Sequence, residues 1–217
     1  MDRRGGDHPT GRRLCRVRLC RLSAPPGRCQ WENSVKVTRF SSLDGPLVID
    51  HPSFGDHRGR FDIPWNSDAF AAIGFHDPFL QDNIVRSSRR VLRGLHYQNP
   101  EMQGKLLCVL NGAILDVAVD LRADSPTLGR WVSVELTAQT PQCFWVPRGF
   151  AHGYQALSDD TVVFYKVDGA YAPQQEVCIR WDDPDIGIDW PLADPIISDK
   201  DLNGVSFAAA PRCHMAP

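Results

Sequence analysis

The stretch KLLCVLNGAILDVAVDL, residues 105–121, decides the fold. Two runs rich in Leu, Val and Ile flank Asn111-Gly112, a dipeptide suited to a tight hairpin turn. Side chains alternate across a strand, so Leu115, Val117, Val119 and Leu121 share one face of the second run. Asp116, Ala118 and Asp120 share the other. The apolar face packs a core, and the polar face meets either solvent or the lumen of an open barrel. Solvent is the commoner case and is the expectation for this strand.

Outward from this hairpin the pattern repeats. VKVTRF at 35–40, GPLVID at 45–50, WVSVEL at 131–136, CFWVPR at 143–148 and TVVFYKV at 161–167 are short and rich in β-branched and aromatic residues. Turn-forming stretches such as DSPTLG at 124–129 lie between them. In TVVFYKV, Tyr165 and Lys166 fall on opposite faces, so only one of them points inward. One short helix is expected in SDAFAAIG at 67–74, capped by Ser67 or Asp68. Many short strands with little helix predict an all-β sandwich or barrel of the jelly-roll kind.

The 217 residues are enough for one well-buried domain. With 42% hydrophobic and 23% charged residues the composition is that of an ordinary globular protein, and a net charge of −2 argues against a nucleic-acid partner. No apolar run reaches the roughly 18–20 residues that span a bilayer, so no membrane association is expected. Cys15, Cys20, Cys29, Cys108, Cys143, Cys178 and Cys213 form no CxxC pair, which favours reduced thiols and a cytoplasmic location. Cys108 and Cys143 read as small core residues. Residues 1–32 hold eight arginines and no lysine and read as a disordered extension or a start placed too far upstream, with an arginine-rich targeting segment as the alternative. The folded domain is expected over 33–205, followed by a tail at 206–217.

Candidate chemistry gathers in VLRGLHYQNPEMQGK at 91–105 and WVPRGFAHG at 145–153, which supply Arg93, His96, Lys105 and His152. His96 is followed by Tyr97 and Gln98, so the His-x-His pair of a metal-binding barrel is missing. His96, Glu101 and His152 remain a conceivable ligand set without the spacing of a metal face, and no metal is expected. Removing a proton beside a ketone needs a base of moderate pKa, which suits histidine. A fixed cation such as Lys105 or Arg93 would stabilise the enolate, and a tyrosine such as Tyr165 could return the proton from the other side. A carboxylate behind the histidine would fix its tautomer. Each residue also has a plainer role, as a packed histidine, a core tyrosine or a solvated lysine. Strict alternation separates Arg93 from His96, and a bulge near Gly94 would reunite them.

From about Val35 to Asp201 the chain resembles the dTDP-4-dehydrorhamnose 3,5-epimerase family, a metal-free branch of the cupins. The matching blocks are FGDHRGRF (54–61), FLQDN (79–83), VLRGLHYQ (91–98), QGKLLCVLNGAILDVAVDLRADSPTLGRW (103–131), WVPRGFAHGY (145–154), VFYK (163–166), IRWDDPDIGIDWP (179–191) and SDKD (198–201). The resemblance implies a cupin-type double-stranded β-helix, or jelly roll, with a few short helices. It implies conversion of dTDP-4-dehydro-6-deoxy-D-glucose to dTDP-4-dehydro-L-rhamnose by proton removal and return at C5 and C3. No cofactor is implied, because the C4 ketone already acidifies both C–H bonds.

Roles follow position by position. His96 resembles the general base, Asp201 its carboxylate partner, Tyr165 the proton donor on the opposite ring face and Lys105 the lysine at the C4 oxygen. Arg58 and Arg93 resemble the arginines that hold the diphosphate. Gln81, Asp82, Asn83, His152, Tyr171, Glu176 and Lys200 match substrate-binding positions. A homodimer is implied, with N-terminal strands near 35–63 exchanged between subunits. Ile63 stands where a nucleotide-contacting glutamate is expected, Ile84 where a histidine is frequent, and Ala170 where an aromatic residue is common. The nearest alternative is a mono-epimerase acting at C3 or C5 only in a deoxysugar natural-product pathway. A metal-dependent cupin and a non-catalytic sugar-nucleotide binder are alternatives of other classes.

Overall fold

Alternation and turn chemistry divide residues 35–215, the part that the computed structural model describes, into thirteen strands. They are β1 (Lys36–Arg39), β2 (Leu47–Asp50), β3 (Ser53–Asp56), β4 (Gly59–Asp62), β5 (Gln81–Ser87), β6 (Leu92–Gln98) and β7 (Lys105–Asn111). After these come β8 (Ala113–Asp120), β9 (Trp131–Thr137), β10 (Gln142–Val146), β11 (Phe150–Ala156), β12 (Thr161–Val167) and β13 (Glu176–Cys178). Helices α1 (Ser67–Ala71) and α2 (Asp199–Leu202) are a turn or so each. The arginine-rich stretch 1–32 lies outside the described residues.

Six strands pair in the order β1-β2-β10-β7-β12-β5 and five in the order β13-β6-β11-β8-β9, while β3 and β4 form a separate hairpin. All of these pairings are antiparallel, and chain neighbours such as β6 and β7 lie in different sheets. This is the expected jelly roll. Leu107, Val109, Phe144, Val146 and Val163 of the larger sheet meet Ile114, Ala118, Val132, Leu136 and Tyr154 of the smaller across one inner core. Fully burying such a side chain contributes about 1.5–3 kcal/mol.

Both sheets are also covered on their outer faces. Trp65, Phe70, Phe75 and Phe79 pack over Leu47, Ile49, Leu106 and Cys108. Ile179, Ile186, Ala210 and Cys213 of the C-terminal segment pack over Leu95, Val117, Val119 and Leu121. Residues beyond 205 therefore belong to the packing, and the backbone of Cys213 bonds to both Leu121 and Ala123. Double coverage corrects the expectation for β8. Its apolar face meets the C-terminal segment, and its polar face turns into the barrel, where Asp116 and Asp120 are completely buried. Asp120 accepts hydrogen bonds from Arg122, Ser125 and Thr127, so its charge is compensated.

Helix α1 falls within the expected SDAFAAIG, but its cap is Asn66, whose side chain accepts from the Ala69 N–H. The residue before Ser67 leaves the chain in an extended conformation and carries a short acceptor, which is what an N-cap requires. The bulge inferred near Gly94 is present. Across β6 and β11, His152 pairs with His96 but Tyr154 pairs with Arg93, so β6 carries one extra residue there. Arg93 and His96 consequently line the same cavity.

Gly94 has φ +121°, and a Cβ there would lie 2.6 Å from Gly153 Cα and 2.7 Å from the His152 carbonyl oxygen. Gly94→Ala is expected to cost about 2–4 kcal/mol in urea unfolding, from backbone strain plus overpacking. Gly55→Ala, whose Cβ meets nothing closer than 3.8 Å, should change stability by less than about 0.5 kcal/mol. Equal losses at the two sites would show that the close approach is not a constraint.

Candidate active site

The open end of the barrel forms a cavity of about 380 Å³ whose lining includes His96, Lys105, Tyr165, Glu176 and Lys200. A deeper recess of about 190 Å³ shares His96, Lys105 and Tyr165 and adds Arg93, His152 and Tyr154. Strand parity explains the composition. On β12 Tyr165 faces the cavity, while Lys166 turns to the other face and pairs with Asp82 at 2.6 Å. On β5 Gln81 and Asn83 face the cavity and bond to each other, whereas Asp82 is absent from its lining. Asp82, expected to touch substrate, holds Lys166 and keeps its side chain more than half exposed.

His96 comes from the five-stranded sheet, and Lys105 and Tyr165 come from the six-stranded sheet. A ligand lying between them meets the histidine on one side and the tyrosine on the other. His96 Nε2 is 2.7 Å from Asp201 Oδ1. Asp201 is buried in α2, where Ser198 Oγ accepts from its backbone N–H, and the Gly94 N–H donates to its second oxygen. Burial alone would raise the Asp201 pKa, but His96, the Gly94 N–H and Ser198 together hold it below the usual carboxylate value. The sign follows: this ionised carboxylate stabilises the fold above its unfolded pKa, and that contribution is lost as pH falls through the lower folded value.

Lys105 Nζ donates to the His96 carbonyl oxygen at 3.3 Å. Burial pulls its pKa down to about 8, offset in part by Glu176 and Asp116. Burial likewise lowers the pKa of His152 and raises that of Tyr165. His152 Nε2 lies 2.6 Å from Asp116 Oδ1, a second buried histidine–aspartate pair beside the first. At the rim Glu176 pairs with Lys200 at 2.7 Å and accepts from the Tyr171 hydroxyl at 3.2 Å. Arg93 rests on Ser87 Oγ, with its guanidinium partly exposed.

Arg58 is not part of this cavity. It sits on the β3–β4 hairpin with its side chain 79% exposed, paired to Asp56. Glu101 is exposed in a loop and lines neither chamber, so the set His96, Glu101 and His152 is not assembled as a ligand face. Among the described residues one other trio could hold a cation: His96, Cys178 and Asp201. A separate cavity of about 380 Å³ at Asp44, Arg122 and Met215 borders the Arg122–Asp120 pair, whose charges already meet.

A family model described as dTDP-4-dehydrorhamnose 3,5-epimerase matches residues 41–209. The chain belongs to that family. A dTDP-4-dehydrorhamnose 3,5-epimerase from Methanothermobacter thermautotrophicus is 49% identical over 166 residues, covering 75% of this chain and 90% of its own. The enzyme of the same name from Pseudomonas aeruginosa is 47% identical over 178 residues, covering 81% and 98%. The crystal structure of a dTDP-6-deoxy-D-glucose-3,5-epimerase from Legionella pneumophila, in complex with dTDP-4-keto-L-rhamnose, matches with a TM-score of 0.80 at 37% identity. That match covers 84% of this chain and 100% of the other.

The sequence reading assigned no site role to Asp116, Tyr154 or Cys178, which the structure places beside the two histidines. Asp116 had a signal, since an aspartate on a strand covered on both faces must find a buried partner. A direct test of the electrostatics is ¹³C NMR of the lysine ε-carbons. One resonance is expected to titrate near pH 8 and to be missing in Lys105→Arg. Titration of every lysine in the ordinary range would remove burial as a controlling influence on Lys105.

Proposed function

We propose that this chain is a dTDP-4-dehydrorhamnose 3,5-epimerase acting on dTDP-4-dehydro-6-deoxy-D-glucose. The observation that carries the reading is the placement of His96 and Tyr165 on opposite sheets of one cavity, with Lys105 beside them. His96, oriented by Asp201, removes the proton beside the C4 ketone. The Lys105 ammonium stabilises the enolate that forms on the ketone oxygen. Tyr165 returns a proton from the other face, which inverts the carbon. The cycle at C5 is then repeated at C3. Burial keeps Tyr165 protonated until it is needed.

Arg93, at the recess with its guanidinium exposed, suits a diphosphate oxygen, as do the exposed Lys200 and the amides of Gln81 and Asn83. His152 lines the recess beside His96, and Asp116 orients its ring through Nε2. Arg58 lies outside the cavity on the exposed β3–β4 hairpin, whose Phe61 is 64% exposed, an arrangement that suits a homodimer in which this hairpin reaches the partner's site. A cytoplasmic location belongs to the same reading, supported by the thiol state of Cys108, Cys143, Cys178 and Cys213.

Chelator-treated protein incubated with the substrate in deuterated water is expected to place deuterium at C3 and C5 with inversion at both. Inversion at one carbon alone would make it a mono-epimerase, and no exchange at either would sink the assignment. His96→Ala should lose both exchange and inversion by about 10²-fold or more. Tyr165→Phe should keep measurable exchange while inversion stalls. In the unmodified protein kcat/KM should fall about tenfold per unit as pH rises beyond about 8, since Lys105 then loses its proton. A flat profile through pH 9 would show that Lys105 keeps its proton there, against the depression expected from burial.

A further inference from the structure

Cys178 faces the histidine–aspartate dyad, and the proposed reaction makes no use of it. It is the direct cross-strand partner of His96 in the β13–β6 register. Its thiol lies 3.8 Å from Asp201 Oδ1, the oxygen that His96 Nε2 approaches at 2.7 Å. One donor atom from each of the three residues lies within 4.8 Å of the other two, and no other such group occurs among the described residues.

We propose that His96, Cys178 and Asp201 form an inhibitory site for a thiophilic divalent cation such as Zn²⁺. Nitrogen, sulfur and oxygen donors at this separation match the ligand types of zinc, with the fourth tetrahedral position left to water. A borderline-soft cation gains from the thiolate, which a hard cation such as Mg²⁺ would not. Binding replaces the short His96–Asp201 hydrogen bond by two metal bonds and releases the thiol proton of Cys178 to solvent. Burial and the neighbouring Asp201 carboxylate push that thiol up to about 12, so the cation must displace a tightly held proton. This makes capture reversible and weaker than at a resident structural zinc.

The inhibition has a stated cause. A neutral imidazole bound to metal through Nε2 carries its one remaining proton on Nδ1 and has no lone pair left to accept another. The histidine can then no longer act as a base. Asp201 is drawn to the cation as well, so the carboxylate that supports the imidazolium is also withdrawn. Cation binding stands on the geometry alone, whereas its effect on turnover rests on the proposed epimerase activity.

The test uses the full chain, stripped with chelator and titrated with Co²⁺ at fixed pH. A thiolate-to-cobalt charge-transfer absorption is expected, with one equivalent of it missing from Cys178→Ser and from Cys178→Ala. Because the other six cysteines are unchanged in both variants, the difference reads Cys178 alone. Zn²⁺ should displace this band and, in the deuterium-exchange assay, suppress exchange at C5. Either cysteine variant should need at least about tenfold more Zn²⁺ for the same suppression, relative to its own metal-free rate. An identical cobalt spectrum in parent and variants, or unchanged zinc sensitivity, would overturn the proposal. A Cys178-dependent band in a protein that exchanges no deuterium would keep the cation site and discard the epimerase reading.

Discussion

Where β6 passes β11, two backbones touch with no side chain between them, and the geometry of the site depends on that contact. Gly94 and Gly153 face each other across the bulge, and a Cβ on Gly153 would lie 2.8 Å from the Arg93 carbonyl oxygen. The extra residue in β6 turns Arg93 and His96 toward one cavity, which a regular strand cannot do at a spacing of three. The same bulge aims the Gly94 N–H at Asp201. One local irregularity thus sets the direction of His96, the placement of Arg93 and the anchoring of the Asp201 carboxylate.

Around that contact, the barrel manages an unusual amount of buried charge. Asp116, Asp120 and Asp201 are all buried, and each is matched to a cation, a histidine or several hydrogen-bond donors. Asp116 Oδ2 is the exception, buried with no hydrogen-bond partner among the described residues. Its carboxylate raises the pKa of Lys105 against the larger effect of burial, which helps hold an ammonium in a place that disfavours one. An uncompensated acceptor is costly to a fold. Here it lies near a buried lysine whose charged form it favours.

The strands most legible in the sequence are those with apolar residues on both faces. TVVFYKV matches β12 residue for residue, and KLLCVL and AILDVAVDL match β7 and β8 to within a residue at each end. The β3–β4 hairpin carries no such signal, because its side chains are polar or exposed and its two strands pair only with each other. Parity placed Tyr165 and Lys166 on opposite faces but could not say which way Asp116 points, since that depends on a C-terminal cover more than 60 residues downstream. The His96–Asp201 pair is separated by 105 residues, and only resemblance to a known family linked the two. At Asp82 the pairing with Lys166 was equally out of reach, since it depends on which strand lies beside β5.

The C-terminal segment covers the outer face of the five-stranded sheet and also delivers Lys200 and Asp201 to the cavity rim. Synthesis runs from the N-terminus, so β1 to β13 leave the ribosome before Asp201 does. A nascent chain can therefore pair its strands and close its inner core while the histidine still lacks its carboxylate. Closing the His96–Asp201 pair and covering the outer face of the five-stranded sheet both draw on this one C-terminal segment.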